Sequence, residues 1–424
     1  MSDNTVLQPL KGFRQLYPSE KVIQSFVLQK AREIAKLYGF EEYDGPMLEP
    51  IELYLNKSSR ELVEEQSFKV IDKNDKTYLM RPEMTPTLAR MIAAKENSLT
   101  LPVRFSNIGL RYRYEAPQKG RDREFYQMDF DIIGSNSTIA DAEIISIAVS
   151  LLKSCGATEK DFVLYINSRE TLTKTLIEFG IAEKNIKKVI SIIDKRDKVE
   201  KPVFVKMLQD ASLSSGQIAS INNLLDNPIE YEKSFAEILK LIDSYGISEF
   251  VKVNPAIVRG LDYYTGIVFE AKSKGPLGRS LLGGGRYDNL VSGYGAKQKL
   301  GGVGFATSDS ILIAFLGDSN LLPELNSVPS QVFVSIFDES TLDNSLRLAR
   351  KLRENNIPTE VYPEVGVKLD KQFKYASTKQ IPFVAIIGPD EAKNGTVTVK
   401  NMNDRTQEKL SIAELIEKLK NQAL

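Results

Sequence analysis

The sequence predicts an α+β molecule in three parts: a β-rich body with flanking helices, a helical segment inserted into it, and a small α/β domain towards the C-terminus. Three observations carry that prediction. The chain has 424 residues, more than a single ordinary core accommodates, so two or three domains are expected. Strand-like alternation at Lys76–Met80, Val103–Gly109 and Phe125–Gly134 gives way near Arg169 to a lysine-, isoleucine- and leucine-rich texture, and returns over Ile257–Gly304. Beyond Pro323 and Pro329 strands and helices alternate in short order. The expected boundaries are 1–168 with 250–325 for the body, 169–249 for the helical insertion and 330–424 for the last domain.

Each element has a local reason. Ser19 is placed to cap a helix starting at Glu20, in which Val22, Ile23, Phe26, Val27, Ile34 and Leu37 recur at helical spacing until Gly39. The strands at 103 and 125 flank a polar loop with turn residues Pro117 and Gly120, which predicts an antiparallel hairpin. Glu232–Ile242 is one of several helix-period stretches in the insertion, and a further helix is expected near Ser308. In the last domain Val332–Phe337, Thr359–Tyr362, Phe383–Gly388 and Thr396–Met402 read as strands, with helices at Leu342–Arg353 and Lys371–Lys379. Ser411 and Glu414 form a capping box for the final helix. The alternation predicts a mixed, largely parallel sheet.

Composition narrows the chemistry. Lysine plus arginine equals aspartate plus glutamate, 56 each, so nucleic-acid binding is neither announced nor forbidden, because phosphate contacts need only a local basic strip. The lone cysteine, Cys155, excludes a disulfide framework within the chain and fits a reducing compartment. Histidine is absent, which removes imidazole as base, nucleophile or metal ligand. Met1–Phe13 is polar, so no secretory signal is expected, and no apolar run is long enough to span a bilayer.

The richest segment runs from Arg111 to Gln127. Between Arg111 and Arg123 it holds five cations and two anions. Strand alternation puts Arg111, Arg113 and Glu115 on one face, and arginines grouped beside a glycine turn suit a polyphosphate. A solvated, salt-bridged hairpin accounts for the same charges. Phe125, Gln127, Asp129 and Asp131 also share a face, reading as the floor of a pocket for a polar, cationic ligand, or as a solvent-facing edge. Glu83 and Thr85, after Arg81-Pro82, are suited to hold an ammonium group, or to open a helix. Tyr263 and Tyr264 follow Arg259 and, if extended, point to opposite faces. Gly283, Gly284 and Gly285 permit close backbone approach to a ligand.

Together, and in this order, these segments resemble the class II aminoacyl-tRNA synthetases and, among them, the histidyl-tRNA synthetase family, over nearly the whole chain. Leu10–Arg14 resembles the family's opening element, the helix from Glu20 towards Pro46 its motif 1, Arg111–Gly134 its motif 2, and Gly301–Leu312 stands where motif 3 belongs. Val258–Thr265 resembles the family's Arg-Gly-Leu-Asp-Tyr-Tyr signature, the most specific string. The resemblance implies an antiparallel six-stranded class II sheet, an anticodon-binding-like last domain and a cytoplasmic homodimer. It implies ATP with Mg2+ as cofactors, free histidine as substrate and tRNA(His) as partner, with no membrane. It implies that Arg113 grips the ATP α-phosphate, that Arg121 and Arg123 serve the outer phosphates and loop closure, and that Phe125 stacks on adenine. Glu83, Thr85 and Gln127 would hold the amino acid's ammonium and carboxylate end, and Asp131 and Tyr264 would read the imidazole. Arg259 would place a positive charge beside the α-phosphate, and Gln118 would meet the first base pair of the tRNA acceptor end. No protein ligand for a metal is identified.

Two positions depart from the family pattern. Asp131 stands where glutamate is common, and Gly304–Leu312 carries no arginine where motif 3 commonly has a Glu-Arg pair. Two rival readings follow: a non-charging, histidine-sensing relative of the type that regulates ATP phosphoribosyltransferase, and a nucleic-acid-binding or structural module that kept the fold.

Overall fold

The computed structural model describes residues 7–55, 58, 60–259 and 263–421. They fall into two compact units. One comprises Ile23–Pro323 with the segment ending at Leu16, and the other Tyr17–Val22 with Glu324–Leu424.

The strands of the first unit are β1 (Glu41–Glu42), β2 (Leu48–Pro50), β3 (Lys69–Ile71), β4 (Thr77–Met80), β5 (Val103–Tyr112), β6 (Glu124–Ile133), β7 (Phe162–Ser168), β8 (Val251–Val253), β9 (Ile267–Ser273), β10 (Ser280–Arg286) and β11 (Gly302–Ser308). Eight of them form one sheet in the order β1-β5-β6-β11-β10-β9-β7-β8. The six inner strands run antiparallel to their neighbours, as expected for a class II sheet. The expected count is exceeded because β1 and β8 add short parallel edges on β5 and β7. Strands β2, β4 and β3 make a separate small sheet.

The first helix, α1 (Pro18–Leu37), begins two residues before the sequence suggested. Proline at a helix start loses no bond, since its missing N–H has no partner there anyway. Ser19 therefore lies inside the first turn, and the Glu20 carboxylate caps the entry by accepting from Tyr17 N at 2.7 Å. The remaining helices of this series are α2 (Arg60–Glu64), α3 (Thr85–Lys95), α4 (Thr138–Ser154), α5 (Arg169–Glu178), α6 (Glu183–Ile193), α7 (Lys201–Asp210), α8 (Ser215–Asp226), α9 (Ile229–Glu232), α10 (Ala236–Ser244) and α11 (Asp309–Asp318).

Alternation along β6 divides the body. Met128, Phe130 and Ile132 face α4 and join the main core, while Phe125, Gln127, Asp129 and Asp131 take the opposite face. Helices α5–α10 occupy the stretch read as an insertion. Their buried residues, among them Leu172, Val189, Phe204, Ile221 and Ile242, join that same core rather than building their own. Short amphipathic helices with one apolar stripe each have nowhere else to bury it.

In the second unit β12 (Val332–Val334), α12 (Leu342–Glu354), β13 (Thr359–Val361), α13 (Leu369–Thr378), β14 (Phe383–Ile386), α14 (Pro389–Asn394), β15 (Thr396–Asn401), β16 (Gln407–Ser411) and α15 (Ile412–Asn421) build a five-stranded sheet in the order β13-β12-β14-β15-β16. It is mixed, as expected, but parallel only across β13, β12 and β14. The links into β15 and β16 are too short for a crossover, so those strands run antiparallel. Sequence reading missed α14 and β16. The capping box of α15 is present: Glu414 N donates to Ser411 Oγ and Ser411 N to the Glu414 carboxylate, at 3.2 and 2.7 Å. Among the described residues no helix is long and apolar enough to cross a membrane.

Candidate active site

The polar face of β6 forms part of the wall of a cavity of about 620 Å³, within the size range of small-molecule sites. Strand register orders it. Asp131 lies opposite Gly304, which faces Gly285; Asp129 lies opposite Ala306, which faces Gly283, which faces Glu270. The floor in these two rows is thus made of small residues, leaving depth above it. From Phe125 to Asp131 the strand rises about 20 Å at ~3.3 Å per residue, so the cavity has two distinct ends.

The Asp131 end is buried and aromatic. Tyr287 donates a short hydrogen bond to the Asp131 carboxylate. Burial, together with the field of Asp129 and against the pull of Tyr287, pushes Asp131 up to about 8. Glu83, just before α3, is also raised by burial, although Ser58 donates to it and Arg113 lies near. Tyr263 reaches Glu83 at 3.4 Å and packs against Tyr264, with ring centroids 5.0 Å apart. Beneath, Asp129 pairs with the fully buried Arg111 at 2.9 Å. Burial raises the one and lowers the other, against their mutual attraction. Arg111 is therefore a cation of the sheet interior and does not line the cavity, a correction to grouping it with Arg113. The last register pair is Tyr112 with Glu124, but Arg113 N still donates to Arg123 O at 2.9 Å, and the Arg113 side chain stays on the face of Phe125 and Gln127.

Arg259 occupies the middle. Its guanidinium lies over Gly283, where an added Cβ would sit 2.3 Å from Cζ, and it pairs with Glu270 at 3.2 Å. Its Nε is buried without a partner among the described residues. Burial opposes its charge, yet Tyr264 and Glu270 together raise its pKa. Its φ of 58° lies in the left-handed region, strained for a non-glycine residue. Arg169, at the start of α5, holds that backbone by donating to the carbonyls of Arg259 at 2.9 Å and Tyr264 at 3.3 Å. Asn167 supports the approach, donating to the carbonyls of Pro255 and Ile257 and accepting from Tyr231 of α9. Gly260, Leu261 and Asp262 of the signature string lie outside the described residues.

At the Phe125 end Arg113 spans the wall. It donates to Pro82 O at 2.9 Å and Gln127 Oε1 at 3.1 Å, with its guanidinium 5.4 Å from the Phe125 ring. Arg121 pairs with Glu115 at 2.8 Å. Asp309, fully buried where α11 begins, accepts from Arg14 and Gln24 at 2.6 Å each and from Tyr126 N at 3.0 Å. Arg14 also pairs with Asp122 at 3.1 Å, tying the N-terminal segment to the loop.

The chain has relatives among known proteins. A family model described as histidyl-tRNA synthetase matches residues 12–309, and one described as anticodon binding domain matches 331–422. The chain is 36% identical to a histidine–tRNA ligase of Leptospira biflexa over 97% of both chains.

The chain belongs to the histidyl-tRNA synthetase family.

A histidine–tRNA ligase of Haloarcula marismortui is 35% identical over 94% of both chains. The crystal structure of histidyl-tRNA synthetase from Nostoc sp. PCC 7120 superposes with a TM-score of 0.83 at 25% identity, covering 98% of this chain and 99% of that one. In this histidyl-tRNA synthetase fold, Glu83, Thr85, Arg113, Arg121, Phe125, Gln127, Asp131, Arg259 and Tyr264 all line the one cavity. Besides Arg111, two residues to which the resemblance gave a role are not in its lining. Arg123 lies with its guanidinium 3.8 Å from the Tyr114 ring and donates to Glu115 O, so its direct reach is to the loop rather than the cavity. Gln118 is exposed on that loop, bonded to Arg279. Sequence reading gave no role to Tyr287, Arg169, Asp309 or Arg279, and took Arg14 only as the end of the opening element. Tyr287 sits two residues after the noticed glycines, which is a usable signal. Arg169 and Arg279 have none, since each matters only through contacts distant in sequence.

Proposed function

We propose that this chain ligates histidine to tRNA(His) through a histidyl-adenylate formed from ATP. The observation that carries the reading is one cavity with a buried carboxylate–tyrosine pocket at one end, arginines at the other and Arg259 between them. Histidine sits at the Asp131 end, its imidazole read by Asp131 and Tyr264 and its ammonium and carboxylate groups held by Glu83, Thr85 and Gln127. ATP occupies the other end, adenine on Phe125, the α-phosphate against Arg113, the outer phosphates towards Arg121, with Arg123 setting the loop. The Asp129 row, where Arg259 lies, is about 7 Å along the strand from Asp131 and ~13 Å from Phe125, which suits a charge at the junction of the two substrates.

The histidine carboxylate attacks the α-phosphorus, the bond to the bridging oxygen breaks, and pyrophosphate leaves. A hydroxyl of the terminal tRNA ribose then attacks the acyl carbon and AMP leaves. Neither step needs covalent protein chemistry; positioning and stabilisation of the spreading charge suffice. Magnesium is taken to arrive on the triphosphate, and no step is assigned to it. Gln118 meets the first acceptor base pair, the C-terminal unit meets the anticodon, and the enzyme works as a cytoplasmic homodimer.

Charging of total tRNA with labelled histidine tests this directly, and also decides against a histidine-sensing regulatory relative, which would bind histidine without charging. Wild type is expected to charge. Arg259→Ala is expected to lower histidine-dependent ATP–pyrophosphate exchange by about two to three powers of ten with its melting curve kept. Near-normal exchange in that variant would remove Arg259 from the reaction.

A further inference from the structure

We propose that Arg279, which belongs to none of the motifs, is a further nucleotide-binding residue that contacts the outer phosphates of ATP at the loop end of the cavity. The inference rests on the nucleotide reading above. Four arginines line the cavity: Arg113, Arg121, Arg259 and Arg279. Two of them are already matched, Arg121 by Glu115 at 2.8 Å and Arg259 by Glu270 at 3.2 Å. Nearby, Lys119 is paired with Asp318 and Asp122 with Arg14. Arg279 has no carboxylate partner among the described residues. It donates to neutral acceptors instead, Lys119 O at 3.2 Å and Gln118 Oε1. Arg113 is the other lining arginine of this kind, bonded to Pro82 O and Gln127.

Position fits the role. Arg279 precedes Ser280 at the start of β10, where the register runs from Leu282 through Thr307 towards Met128. That is the Phe125 side, away from the Asp131 pocket. The facing segment offers no alternative: Gly304–Leu312 contains no arginine or lysine, and Ile311 lines the cavity there. A triphosphate brings several negative charges to a wall where Glu115 and Asp122 already pair with Arg121 and Arg14, so with Arg113 at the α-phosphate, Arg279 is the lining guanidinium left to meet the outer charges. Its bonds to Gln118 and Lys119 also put the loop residue assigned to tRNA on the same anchor.

The test measures affinity for ATP and for AMP by calorimetry in wild type, Arg279→Ala and Arg279→Lys, with histidine-dependent exchange alongside. The alanine variant is expected to bind ATP about tenfold or more weakly and AMP within twofold of wild type, and the lysine variant to recover most of the ATP affinity. Its KM for ATP rises while its KM for histidine holds. Equal losses for ATP and AMP, or a lysine variant as weak as alanine, would overturn the proposal: tethering a loop needs the guanidinium fork, whereas a phosphate contact needs the charge. Because the nucleotide titrations do not depend on charging, a wild type without exchange counts against the proposed reaction alone, and the ATP–AMP difference still decides the role of Arg279.

Discussion

At the scale of single residues, Asp131 is a carboxyl held almost entirely away from water. Its carboxyl is pushed up to about 8 by burial, far above the ordinary aspartate range, so burial favours its neutral form. The fold then favours the protonated form. That advantage is complete below about pH 4, the ordinary range for aspartate, and is lost as pH rises through 8. Asp131→Asn removes the loss. Denaturation at pH 5 and pH 9 is expected to show wild-type stability falling by on the order of a few kcal/mol more than that of the variant; parallel curves would mean that Asp131 ionises freely within the fold. The same variant is expected to raise the histidine KM about tenfold and leave the ATP KM alone, as for a lost hydrogen bond to a polar ligand. Period-two alternation was enough to set Phe125, Gln127 and Asp131 on one face. It could not tell that Arg111 would be buried against Asp129 while Arg113 reached the cavity, because burial is set by what packs over each side chain and alternation carries only its face.

At the scale of elements, the glycines of β10 explain how a crowded sheet keeps a cavity. Sequence suggested that they let a ligand approach the backbone. In the structure they first admit the protein's own side chains: an added Cβ would lie 2.3 Å from the Arg259 guanidinium at Gly283 and 2.8 Å from the Tyr264 ring at Gly285. On the neighbouring strand, Gly304 clears the Asp131 carboxylate, with a Cβ distance of 2.1 Å. Gly284 is the tightest against backbone: its Cβ would meet the Gly304 carbonyl at 2.2 Å, against 2.7 Å from the Ile267 carbonyl at Gly285. Gly283→Ala is therefore expected to keep the fold, displace the flexible end of Arg259 and cut exchange at least tenfold. Gly284→Ala has no flexible neighbour to move and is expected to cost about 1–3 kcal/mol of stability, as overpacking does. Melting curves and exchange rates on both variants check this; a Gly283→Ala enzyme of full activity would mean that Arg259 does not need the place it holds. Strands β4, β5 and β6 were legible to within a few residues, because alternation is a local property, while β2, β3 and β7 were passed over. The short edges β1 and β8 were not legible, since only their neighbours make them strands.

For the whole molecule, each compact unit has its own buried clusters, Leu348, Val384 and Leu415 among those of the second and none shared with the first. Each is expected to unfold as its own cooperative transition. ATP alone, at about a hundred times its Kd, should stabilise the cavity-bearing unit by ~2.7 kcal/mol and leave the other in place. Calorimetry checks this, and one transition that shifts as a whole would show that the units unfold together. The α+β class, the helical stretch and the alternating last domain were readable from the chain because hydrophobic period and turn residues act over a few neighbours. So was the run of residues that became the wall of the cavity. Tertiary structure alone decided that Arg169 would brace Arg259, that Tyr287 would close on Asp131 and that Arg279 would stand unmatched beside the loop. Those contacts join positions from 90 to more than 150 residues apart, and no local pattern carries a contact whose partner is chosen only when the strands pair and the core closes.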